Sequence, residues 1–61
     1  MLEDEEVVEG QSYIYQDLES GRVKVTVIRI EEKNVTARLE GRGLEKPWPI
    51  ETFKKYATVI L

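Results

Sequence analysis

The chain has no cysteine and no histidine among its 61 residues. The first absence excludes disulfides, a thiolate nucleophile and cysteine-ligated zinc. The second removes the commonest general base and the commonest metal ligand. Hydroxyls are present on serine, threonine and tyrosine, but no imidazole is there to activate them. No pair of carboxylates is separated by a stretch that could form an apolar cleft. The sequence therefore reads as a non-enzyme, with no cofactor and no metal site expected. No apolar run approaches the ~20 residues of a membrane-spanning helix. The start, Met1-Leu2-Glu3-Asp4-Glu5-Glu6, is the opposite of a secretory signal and predicts a cytoplasmic protein. A chain this short makes one domain and buries only about 60% of its unfolded surface.

Charge is abundant but unevenly placed. The net charge is −3, yet residues 1–9 hold five acids and no base. Residues 10–61 hold seven acids and nine bases, a net of +2. The expectation is an acidic, disordered tail over residues 1–7 and a folded body over residues 8–61.

The body reads as β-structure. Tyr13-Ile14-Tyr15 is a short β-prone run, and Ser20-Gly21 is a turn signal. Arg22 to Ile30 is the strongest strand, β-branched and alternating. Val23, Val25 and Val27 share one face, whereas Ile28 and Ile30 share the other, so the apolar phase flips at Val27-Ile28. A flat strand would expose one of these sets, which predicts a β-bulge or sharp bend at that point. Glu31 to Asn34 predicts a short hairpin loop, with Asn34 suited to a left-handed conformation. Asn34 to Glu40 alternates again. Gly41-Arg42-Gly43 opens a loop, and Lys46-Pro47-Trp48-Pro49-Ile50 predicts a fourth strand. Ile50 to Lys55 is the one helical candidate, and Ala57 to Leu61 predicts a closing strand. The expected core is Val23, Val25, Val27, Ile28, Ile30, Val35, Ala37, Leu39, Ile50, Phe53 and Val59, with some of Ile14, Val8 and Ile60.

Five short strands with a single turn before the last resemble the SH3-like small β-barrel, in the pattern of its KOW and Tudor-type members. Glu9-Gly10-Gln11 followed by Tyr13 resembles the opening of that fold, and Ile30 to Val35 its distal hairpin. Pro49-Ile50-Glu51-Thr52-Phe53 resembles its fourth strand running into a 3₁₀ turn. The resemblance implies an all-β, five-stranded barrel with one short 3₁₀ turn before the last strand. Tyr13-Ile14-Tyr15 with Asp17 also resembles the aromatic-then-acid loop of peptide-binding SH3 domains. The chain departs from them in placing its only tryptophan beside Pro49. This superfold hosts many unrelated activities and fixes none of them.

Two surfaces follow from the residues. The first is a partner-binding surface on Trp48, Tyr13, Tyr15, Arg42 and Leu44. Trp48 is expected near the surface because prolines flank it on an edge-like strand. This surface predicts a small protein–protein interaction module, of the adaptor, inhibitor or accessory kind found among phage and plasmid proteins. The alternative is a nucleic-acid-binding face built from Arg22, Lys24, Arg38 and Arg42, since cations neutralise phosphate. The chain is expected to be a monomer, or a homodimer paired at an edge strand through Val59-Ile60-Leu61.

Overall fold

The longest alternating run becomes the longest strand. A computed structural model describes residues 6–19 and 21–60, and it places β2 over Gly21–Ile30. The other strands are β1 (Ser12–Asp17), β3 (Asn34–Leu39), β4 (Leu44–Pro49) and β5 (Ala57–Val59). One helix, α1, runs from Ile50 to Tyr56, between β4 and β5. The strands form one antiparallel sheet in the order β4-β3-β2-β1-β5.

The expected bulge is present. Val27 pairs with Ala37 and Arg29 pairs with Thr36, which leaves Ile28 as the extra residue. The bulge restores the phase: Val25, Val27 and Ile30 all stand opposite residues of the buried set Leu39, Ala37 and Val35. Ile28 is thereby displaced from the core and is only partly covered, which corrects its expected place in it.

One face of the sheet is the core face. It carries Tyr13 and Tyr15 from β1, Val25 and Val27 from β2, and Val35, Ala37 and Leu39 from β3. Trp48 and Ala57 complete it from the two edge strands, and Phe53 reaches it from α1, fully buried. The Phe53 ring lies 5.7 Å from both the Tyr13 and Tyr15 rings and 5.8 Å from Trp48. Val23, Ile30, Ile50 and Val59 pack at its margin, whereas Val8 and Ile60 are exposed, against expectation.

The turn before β5 is a seven-residue α-helix, which corrects the expected 3₁₀ turn. Pro49 fixes its entry, Glu51 lies in the first turn, and Lys54 and Lys55 lie in the last, as the helix dipole favours. The Ile50 amide donates to the Lys33 carbonyl at 2.8 Å, so the β2–β3 hairpin holds the helix start. That hairpin closes with the Glu31 amide donating to the Asn34 carbonyl at 2.8 Å. Asn34 does not take the left-handed conformation expected of it: among the described residues, positive φ occurs only at glycines.

The acids at positions 3–5 and Leu61 lie outside the described residues. Val7, expected in the tail, is instead part of the core at 8% exposure. The folded body therefore includes it. No helix among the described residues is long and apolar enough to cross a membrane.

Candidate partner-binding surface

Strand parity decides which of the sequence-predicted residues can meet a partner. Tyr13 faces Val25 across the β1–β2 ladder, and Tyr15 faces Val23. Cross-strand neighbours share a face, so both tyrosines point into the core. Their exposures are 2% and 6%. Trp48 pairs with the fully buried Val35 and packs 4.7 Å from the Tyr15 ring. At 9% exposure it is a core residue, which corrects its expected surface position. Its prolines do mark an edge strand, but an edge strand still has an inward side. The Gly41-Arg42-Gly43 loop sets the register that puts Trp48 opposite Val35, and that was the available signal.

Burial leaves its mark on Tyr15. Loss of water around the phenol pushes its pKa above the ordinary tyrosine value, and the negative charges of Asp17 and of ionised Tyr56 add to the rise.

Arg42 and Leu44 do lie at the surface, in a setting the sequence did not reveal. The β1–β2 turn and the β3–β4 turn meet at one end of the sheet. The first is closed by the pairing of Asp17 with Gly21, and the Glu19 amide donates to Asp17 Oδ1 at 3.3 Å. The second is closed by the pairing of Leu39 with Leu44, and the Arg42 amide donates to the Leu39 carbonyl at 3.3 Å. Between the turns lies a depression of about 240 Å³, lined by Asp17 and Glu19 on one side and by Arg42, Leu44 and Lys46 on the other. At the tip of the first turn, Leu18 is 99% exposed, and Leu44 is 58% exposed on the second. Leu18 was missed because a polar turn hides a lone leucine from any periodicity.

Three of the four residues of the basic face lie together, and two of these three are already paired with carboxylates. Arg22, Lys24 and Arg38 share the outer face, since Thr26 pairs with Arg38 and lies two residues from Lys24. Lys24 pairs with Glu40 at 3.5 Å, Arg38 with Glu45 at 3.3 Å, and Arg29 with Glu31 at 2.8 Å. Lys24 and Arg38 border a more open depression of about 500 Å³ with Ser12, Thr26 and Gly41. Arg42 lines the depression between the turns instead. Among the described residues, no cluster of three or more metal-ligating side chains occurs. Comparison with known protein families, with curated proteins and with solved structures finds no match to the chain.

Proposed function

We propose that this protein is a small, non-enzymatic protein–protein interaction module on an SH3-like barrel. Its contact surface is the turn end of the sheet, built on Leu18 and Leu44 with Arg42, Lys46, Asp17 and Glu19 around them. The observation that carries this reading is an exposed leucine on each of the two turns whose residues line one depression. An isolated exposed leucine is ordinary on a protein surface. Two on adjoining turns, rimmed by charges of both signs, form the apolar centre and polar rim of a small interface. The barrel reading is supported by the strand order and by α1, which contacts both edge strands.

A nucleic-acid module is the second reading, favoured by the shared face of Arg22, Lys24 and Arg38. Two of those three cations already have a carboxylate within 3.5 Å. Exposed pairs of this kind contribute at most about 1 kcal/mol. They nonetheless offset the positive potential that phosphate would seek.

The test is a comparison of three full-length chains, each fixed to a resin and used to capture cellular material. They are wild type, a Leu18→Ser/Leu44→Ser variant and a Lys24→Ala/Arg38→Ala variant. The proposal expects a protein retained by wild type and by the basic-face variant but lost with the leucine variant, at unchanged thermal stability. Retention of nucleic acid that fails only with the basic-face variant overturns it in favour of the second reading.

A further inference from the structure

The opposite end of the sheet carries a different feature, independent of the leucine surface. The β1–β2 ladder stops at Ser12 and Thr26, yet β2 runs on to Ile30. The edge left bare beyond Thr26 is covered by the residues that precede β1. The Gly10 amide donates to the Val27 carbonyl at 2.8 Å, and the Val27 amide donates to the Gln11 carbonyl at 2.9 Å. Further along, the Ile30 amide donates to Glu9 Oε2 at 2.9 Å. A carboxylate thus stands where a neighbouring strand would present a carbonyl. The segment reverses through a turn in which the Gln11 amide donates to the Val8 carbonyl at 3.2 Å and Gly10 has φ +86°. Val7 is buried at 8% exposure, and the Val8 amide donates to the Tyr13 hydroxyl at 3.0 Å.

We propose that residues 7–9 form an exchangeable strap, and that its seat on β2 also accepts the strap of a second copy of the chain. Three observations select this occupant. The seat is complementary to this sequence, because its Val7 and Glu9 contacts are already made by it. The strap lies on the N-terminal side of one hinge residue, Gly10, whose positive φ of +86° makes the reversal there a single-residue turn. The other edges are poor routes to a dimer. β4 carries Pro47 and Pro49, which have no amide to donate to an added strand. β5 is three residues long, and the Ala57 amide is already bonded to the Phe53 carbonyl. Strap exchange repeats the Val7, Val8 and Glu9 contacts across the two chains and gives up only the Gln11–Val8 turn bond, which is why swapping of this kind costs little.

Gly10→Ala tests this directly. A Cβ at Gly10 meets nothing within 4 Å, so the substitution penalises the left-handed turn and little else. The strained turn exists in the closed monomer and is released in the exchanged dimer. The dimer dissociation constant by light scattering is therefore expected to fall roughly tenfold or more against wild type. To locate the contact, ¹⁵N-labelled Gly10→Ala chain is mixed with unlabelled Gly10→Ala chain carrying a nitroxide on Val8→Cys. Selective broadening of the Val27 and Ile30 amides supports the exchange. A chain that stays monomeric to ~1 mM, or broadening centred elsewhere, overturns it.

Discussion

The two ends of this sheet are built from the same β2 strand and differ in how they are finished. At the Ile30 end, backbone groups of β2 that β1 leaves unpaired are covered by the strap and the Glu9 carboxylate, and the start of α1 ties down the neighbouring hairpin at Lys33. At the Gly21 end, two short turns close the strands and nothing among the described residues covers Leu18 or Leu44. The strap end also leaves Val8 partly in water, at 49% exposure, but the turn end leaves two leucines there, one of them 99% exposed. In a chain with so little core, that second choice gives up burial that could have stabilised the fold. The contrast is the physical ground for proposing the turn end as the contact surface.

The largest test of the contrast lies within one strand. Trp48 and Leu44 are both on β4 and on the same face, opposite Val35 and Leu39. Trp48→Ala removes a buried ring that packs on Tyr15 and Phe53, and is expected to cost about 3–5 kcal/mol. In so small a domain that loss unfolds most of the protein, and circular dichroism with urea titration will show it. Leu44→Ala is expected to shift stability by less than about 0.5 kcal/mol. A folded Trp48→Ala chain would return Trp48 to the surface role that its flanking prolines suggest.

A smaller effect separates the two ends by charge. Glu9→Ala removes the acceptor of the Ile30 amide, at an expected cost of about 1 kcal/mol. Hydrogen exchange at Ile30 should speed up severalfold, because its amide then faces water. Arg42→Ala at the turn end should leave both stability and exchange unchanged. Equal effects from the two substitutions would remove the distinction between a held end and an open one.

Much of the fold was legible because its signals are local. The flipped phase at Val27-Ile28 gives the bulge, and Ser20-Gly21 and Gly41-Arg42-Gly43 give two of the turns. Burial of Val25, Val27, Val35, Ala37, Leu39 and Phe53 follows from alternation and from the one helical stretch. What escaped depends on register between strands. Tyr13, Tyr15 and Trp48 have polar handles or proline neighbours that suggest exposure, and only their cross-strand partners reveal the inward side. The strap escaped for a similar reason: nothing near Glu9 in sequence shows that its carboxylate meets an amide 21 residues away. The turn end was half legible. Arg42 and Leu44 were found from their loop, but the neighbouring Leu18 appears only once β1 and β4 are folded to the same end.

The smallest expected effect reads the boundary between core and turn end through Tyr15. Its phenol is pushed above the ordinary tyrosine value first by burial, then by Asp17 and Tyr56. A group whose folded pKa is raised contributes stability that is fully present below its unfolded value, near pH 10, and is lost as pH climbs through the folded one. Stability should therefore decline in the alkaline range. Phenolate titration followed at Tyr15 should show it ionising later than a free tyrosine. Asp17→Asn removes the second contribution while leaving burial intact, so the late titration should move back only partly towards the ordinary value. Full restoration would mean that the turn-end carboxylate, rather than burial behind Trp48 and Phe53, governs Tyr15, and the core would then open towards the turns.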